Sequence, residues 1–164
     1  VGLELFEQAR DLDASLDVVL APCGGGGLTA SVAVVARTLS PGTRVFAAEP
    51  QSFDDMRRSL EAARRVGNPV GQRTICDAIM TPMPTALTFP INLELLSGGL
   101  VASDDEVRTA MRFAYDHFKI VVEPGAAVGL AAILAGRLSI EGKTVATIAT
   151  GGNIDLHRFH RLLA

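Results

Sequence analysis

Four successive glycines, Gly24 to Gly27, separate a short apolar run from a stretch of Leu, Ala and Val that contains no helix breaker. Glycine loses more backbone freedom on folding than any other residue. Four in a row therefore point to a place where a ligand approaches the backbone more closely than a Cβ would allow, since one or two would serve a tight turn. The run upstream, residues 16–22 (Leu-Asp-Val-Val-Leu-Ala-Pro), is short and rich in Val and Leu, which suits a strand buried on both faces. Downstream, residues 28–39 read as a helix that closes on Pro41-Gly42. Strand, tight loop and helix bring free backbone amides and the positive end of a helix to one point, and a phosphate is the natural occupant of such a loop.

The rest of the chain repeats the alternation. An opening helix is marked by Leu3, Leu5 and Phe6, and a second strand covers 44–48. A helix over 54–66 follows, with acids in its first turn and arginines later, as the helix dipole favours. Residues 67–90, rich in proline, read as a loop over the sheet, where functional residues gather. A strand at 100–102 leads to Ser103 and Glu106, spaced as a capping box for a helix over 104–118 with Val107, Met111, Ala114 and Phe118 on one face. A brief strand at Val121-Val122, a small-residue helix over 126–138, a strand over 143–149, a turn at 150–153 and a last helix capped by Asp155 complete the pattern. The expected fold class is α/β, a parallel twisted sheet flanked by helices.

Composition removes several function classes. The 18 acidic and 15 basic side chains are interspersed, with one Tyr and no Trp, which argues against nucleic acid as a partner. No apolar run approaches the roughly 20 residues that span a bilayer. Cys23 and Cys76 lack metal-ligand spacing and are read as two buried free thiols in a reducing cytoplasm. The three histidines are read as surface or helix-end residues.

The identity of the phosphate is less constrained. A P-loop needs Gly-Lys-Ser or Gly-Lys-Thr, and no lysine follows the tract. A dinucleotide fingerprint would want glycine at Thr29, although Glu49 at the end of the next strand is placed to hold a ribose. A phosphate- or nucleotide-binding module without catalysis stays open at this level.

Several segments together carry a resemblance. Ala21-Pro22-Cys23-Gly24-Gly25-Gly26-Gly27-Leu28, Ala48-Glu49-Pro50, Thr74-Ile75-Cys76-Asp77-Ala78, Val122-Glu123-Pro124-Gly125-Ala126 and Thr150-Gly151-Gly152-Asn153 occur in order and spacing across almost the whole chain. This arrangement resembles the threonine and serine dehydratases and serine racemases, pyridoxal-phosphate (PLP) enzymes of fold type II, the tryptophan synthase β-like fold. The resemblance implies that Gly24, Gly25, Gly26, Gly27 and the Leu28 amide bind the cofactor phosphate, and that the Thr150 hydroxyl faces the pyridine nitrogen. It implies that Glu123 lies near the ring, and that Ala78, where relatives usually have Gly, brings backbone close to it. It further implies a divalent cation, Mg²⁺ or Ca²⁺, held by Glu49, Asp55 and the Phe53 carbonyl, an oxygen donor set that suits hard cations.

A neutral hydroxyl opposite the pyridine nitrogen makes a weaker electron sink than a carboxylate would, which suits β-elimination. The implied reaction is dehydration and deamination of L-threonine or L-serine to a 2-oxo acid and ammonia, with serine racemase or hydroxyaspartate dehydratase as alternatives in the same family. The resemblance also implies a homodimer.

The cofactor must be anchored by a lysine that also moves the α-proton. Only Lys119 and Lys143 are present, and neither lies in the family's lysine motif. The expectation is therefore that residues 1–164 are the C-terminal half of such an enzyme, part of its large cofactor-binding domain, with no catalytic residue in this chain. The N-terminal half would bring the lysine and the grip on the substrate carboxylate. The start at Val1, directly before a helical pattern, fits that expectation.

Overall fold

Val18, Val19, Leu20 and Ala21 have no exposed surface. They form the central part of strand β1 (Val18–Pro22), whose unbroken apolar sequence is explained by cover on both faces. In the computed structural model, which describes residues 1–164, β1 lies between β2 (Arg44–Pro50) and β4 (Val145–Thr147), and β3 (Gly98–Ala102) pairs with the far side of β2. All pairings are parallel, in register Val18 with Arg44, Val18 with Val145 and Phe46 with Gly98.

The alternation of side chains along a strand divides the core in two. Val19, Ala21 and Val45 pack with Phe6 and Ala9 of α1 (Gly2–Asp11) and Val32, Ala33 and Ala36 of α2 (Gly27–Leu39). Val18, Leu20 and Phe46 meet Ala132 of α6 (Pro124–Leu134) on the other face. Behind α6 stands α5 (Asp104–Phe113), burying Val107, Ala110 and Met111, together with Phe159 of α7 (Leu156–Leu163). The small residues of α6 let it lie close on the sheet: a Cβ on Gly129 would meet Leu20 Cβ at 3.5 Å and collide with Thr147 Oγ1. Truncating a side chain such as Leu20 at this layer would cost about 2–5 kcal/mol.

Most strands and helices and the small-residue character of α6 agree with the sequence reading, although α6 stops at Leu134, short of the expected 138, and β4 covers only Val145–Thr147 of the strand expected over 143–149. The capping box is formed, with Glu106 N–H donating to Ser103 Oγ at 3.2 Å and Ser103 N–H to Glu106 Oε2 at 2.8 Å. Asp155 caps α7 by accepting from Arg158 N–H at 3.0 Å. No helix is long and apolar enough to cross a membrane.

Four departures have local causes. The helix expected over 54–66 is α3 (Asp55–Glu61), because residues 62–65 are Ala and Arg, all exposed, and the chain reverses at Ala63, φ 51°. The segment 67–90 is a loop only as far as Thr88, since Pro90 sits in the first turn of α4 (Phe89–Leu95), where its missing N–H costs nothing. The helix over 104–118 turns into a π segment at Ala114–Phe118, with Lys119 N–H reaching back to Ala114 O. That wider turn swings Phe118 off the face of Val107, Met111 and Ala114, leaving it 56% exposed against the Phe113 ring. Finally, Val121-Val122 is not a strand: Val121 is exposed, and the segment is fixed instead by Glu123 N–H on the Gly151 carbonyl at 2.9 Å.

Candidate cofactor-binding site

In a parallel sheet every strand ends at the same edge, and ligands collect there. Gly24 to Gly27 follow β1, and Thr150 to Asn153 follow β4; Ile148 N–H continues the pairing onto Leu20 O at 3.0 Å, so the two loops leave adjacent positions. Glu49 ends β2.

The four glycines have distinct environments. A Cβ on Gly25 would meet Thr85 Cγ2 at 2.8 Å, and one on Gly24 would meet Thr81 Cγ2 at 3.3 Å and Ile79 Cα at 3.4 Å. Gly26 has φ 91°, and its Cβ would fall 2.5 Å from Asn92 Nδ2 and 2.7 Å from Met56 Cε. Gly27, the first residue of α2, has open space on that side. The hydrogen bonding is one-sided. Gly25 O accepts from Thr85 N–H at 3.1 Å and Thr88 Oγ1 at 2.6 Å, and Gly26 O accepts from Ala30 N–H, Thr29 Oγ1 and Asn92 Nδ2, each at 3.0 Å. The N–H groups from Gly24 to Thr29 have no acceptor in the chain, and Ala30 is the first to find one. A loop whose carbonyls are occupied and whose amides are free, at the start of a 13-residue helix, favours an anion.

Ala78, Glu123 and Thr150, singled out from the sequence, stand at the same edge of the sheet. Ala78 is exposed on the short 3₁₀ turn Asp77–Ile79; a Cβ on Gly125 would reach Ala78 Cβ at 3.6 Å, and Ile79 backs Gly24. Glu123, half-buried, precedes α6 and packs against the Cα of Gly151, next to the exposed Thr150. Asp77, Ala78, Glu123, Asn153 and Arg158 line a polar cleft of about 260 Å³. Arg158 donates to Asp77 Oδ2 at 2.8 Å and to Ile75 O at 3.1 Å. Asp104 accepts from Thr74 Oγ1 at 2.5 Å and from Ile75 N–H at 3.1 Å, so the segment leading to Ala78 is held from two helices.

Glu49 and Asp55 belong to a separate, buried cluster under α3. Glu49 Oε1 and Oε2 accept the N–H groups of Met56 and Arg57 at 2.7 and 2.8 Å, so this carboxylate caps α3 and is not free to take a ribose. Burial pushes the Glu49 carboxyl up to about 8, even against these two amides, with the nearby Asp55 adding to the rise. Burial also raises Asp55, whose Oδ1 accepts Asn68 Nδ2 at 2.6 Å while Oδ2 is buried without a partner. The unused Asp55 oxygen near the Glu49 carboxyl is a hard donor of the kind that Mg²⁺ or Ca²⁺ takes, but no cluster of three ligating side chains exists.

Lys119 and Lys143 donate to the carbonyls of Asp116 and Ser139 at exposed turns and do not line the cleft. The histidines are exposed and the two cysteines are buried and unpaired, as expected. Sequence reasoning missed Thr85, Thr88 and Asn92, because the proline-rich stretch hid the helix that aligns them.

Comparison with known proteins places these features in a family. The model of the family "Pyridoxal-phosphate dependent enzyme" matches residues 1–151. Over 165 residues the chain is 38% identical to the serine racemase of Dictyostelium discoideum, covering 99% of the chain and 49% of that protein. It is 40% identical to the β-hydroxyaspartate dehydratase of Paracoccus denitrificans, covering 94% of the chain and 47% of that protein. The solved T.th. threonine deaminase superposes with a TM-score of 0.89 at 41% identity, over 94% of this chain and 55% of that one. The chain thus spans about half the length of the curated relatives it matches. A match that runs from the first helix to the turn after β4 makes the chain a member of the family of pyridoxal-phosphate dependent enzymes.

Proposed function

We propose that residues 1–164 are part of the large, cofactor-binding domain of a PLP-dependent ammonia-lyase that converts L-threonine or L-serine to a 2-oxo acid and ammonia. The observation that carries this reading is the glycine loop with occupied carbonyls and free amides, within a chain so similar to a threonine deaminase. When bound, PLP supplies the electron sink for bonds at the substrate α-carbon.

The chain's own residues divide the remaining work. The amides of Gly24 to Leu28 hold the phosphate, with Gly27 giving the open approach. The Thr150 hydroxyl serves the pyridine nitrogen as a neutral partner, Glu123 stands beside the ring, and the Ala78 backbone borders it. Glu49, Asp55 and the Phe53 carbonyl hold Mg²⁺ or Ca²⁺, tying β2 to α3; the unpartnered Asp55 oxygen supports this. The lysine that anchors the cofactor and moves the α-proton, and the grip on the substrate carboxylate, come from outside residues 1–164. The protein acts as a homodimer in the cytoplasm, where its two buried thiols stay reduced.

The full-length protein, supplied with PLP and L-threonine or L-serine, should release a 2-oxo acid and ammonia. PLP binding without a 2-oxo acid from either amino acid would overturn the substrate. The 40% identity to a β-hydroxyaspartate dehydratase and 38% to a serine racemase then favour elimination from hydroxyaspartate or racemisation of serine, read by oxaloacetate or D-serine formation. Size-exclusion chromatography with light scattering tests the dimer.

A further inference from the structure

Thr85, Thr88 and Asn92 are spaced three and then four residues apart, as on one face of a helix. The helical bonding does begin before α4, with Phe89 N–H on Thr85 O at 3.1 Å and Asn92 N–H on Thr88 O at 3.0 Å. This polar stripe, running from exposed Thr85 to buried Asn92, docks on two carbonyl oxygens of the glycine loop. Gly25 O takes Thr88 Oγ1 at 2.6 Å and both the N–H and the hydroxyl of Thr85 at 3.1 Å, while the two hydroxyls lie 2.7 Å apart. Gly26 O takes Asn92 Nδ2 at 3.0 Å.

Asn92 has no exposed surface, and its Oδ1 has no partner. A buried amide oxygen without a donor is a standing cost to stability, which an aliphatic residue at the same position would not carry. The other end of the same amide shows what the cost is set against.

In a trans peptide the C=O and the following N–H point in opposite directions. Pinning Gly25 O against the threonines therefore turns Gly26 N–H the other way, and pinning Gly26 O against Asn92 does the same for Gly27 N–H. Glycine peptides flip readily, and each flip would exchange a donor for a repelling carbonyl on the side where an anion sits. Ala30 N–H and Thr29 Oγ1 also hold Gly26 O, but both belong to α2 itself. The stripe is the one anchor that comes from a separate element.

We propose that Thr88 and Asn92, with Thr85 at the exposed end, are positioning residues that hold the Gly25–Gly26 and Gly26–Gly27 peptides in their anion-receptive orientation. They thereby set the preference of the site for the phosphorylated cofactor over its unphosphorylated counterpart. The inference rests on the reading of Gly24 to Gly27 as the phosphate loop.

The test is titration of the full-length apoprotein with PLP and, separately, with pyridoxal, in wild type, Thr88→Val, Thr88→Ser and Asn92→Leu. Wild type should prefer PLP. Thr88→Val and Asn92→Leu should each lose about tenfold in PLP affinity with pyridoxal affinity unchanged, and Thr88→Ser, which keeps the hydroxyl, should match wild type. Thr88 is at the edge of the core, so the valine and serine variants keep the test valid even where Asn92→Leu does not fold. Equal weakening of both ligands, or unchanged PLP affinity in Thr88→Val, would overturn the positioning role and leave the phosphate loop standing. A wild type that binds the two ligands alike would remove the phosphate reading and the inference with it.

Discussion

Arg158 and Asp77, far apart in sequence, form an ion pair at 2.8 Å that fastens the last helix to the turn carrying Ala78. The hydrogen bond from Arg158 holds the Asp77 carboxyl below its ordinary value. A carboxyl lowered in the folded state contributes stability above its unfolded value of about 3.9, and that contribution is lost as pH falls through the lower folded value. The pair is largely solvated, so its share is roughly 0.2–1 kcal/mol. Urea unfolding of wild type and Asp77→Asn should show this gap at neutral pH, and the gap should close as pH falls through the lowered folded value of the carboxyl.

Two neighbouring glycines should respond oppositely to the same substitution. Gly26→Ala forces a side chain into a left-handed backbone and against Asn92, Met56 and Thr88, at a cost of about 2 kcal/mol or more. Gly27→Ala meets open space at the start of a helix, where Ala is preferred, so thermal stability should stay level or rise slightly. The same methyl should block the approach of a phosphate, and PLP titration of Gly27→Ala in the full-length protein should show loss of binding without loss of fold.

A chelator should lower the melting temperature of the wild-type protein, and Mg²⁺ or Ca²⁺ should restore it. Asp55→Asn keeps an acceptor for Asn68 but loses the charge beside Glu49, so its melting temperature should no longer respond to either reagent. Indifference of the wild type to chelator would remove the cation site.

Thr150→Asp would place a carboxylate where a neutral hydroxyl is proposed to meet the pyridine nitrogen. Protonation of the ring should then follow, and 2-oxo acid production should fall in the full-length protein. Unchanged turnover would argue against Thr150 as the nitrogen's partner.

Much of this was legible in the sequence because local signals and tertiary structure agree. The apolar run before the glycines, short and rich in Val and Leu, suits a buried strand and forms one, Ser103 and Glu106 form the cap their spacing announces, and Gly24 to Gly27 lie between strand and helix as expected. What escaped depends on neighbours far along the chain. Pro90 reads as a loop residue until it is seen in the first turn of α4, and without α4 there is no reason to connect Thr85, Thr88 and Asn92. Val121-Val122 has the composition of a strand, but its backbone partner is the turn at Gly151. The left-handed Ala63 ends α3 among exposed residues that carry no apolar pattern, and the π turn before Lys119 adds only one residue to a helical turn, so neither leaves a mark on apolar periodicity.

The central position of β1 has a consequence for biogenesis. One flank of β1 is covered early by β2, but the other waits for β4, and the contact between Asp17 and Thr144 joins residues 127 positions apart. A ribosome adding about 5–20 residues per second leaves that flank open for roughly 6 to 25 seconds after Asp17 is made. During that interval the nascent chain displays Val18 to Ala21 along an unpaired edge, the kind of segment that chaperones bind and that aggregates when they do not.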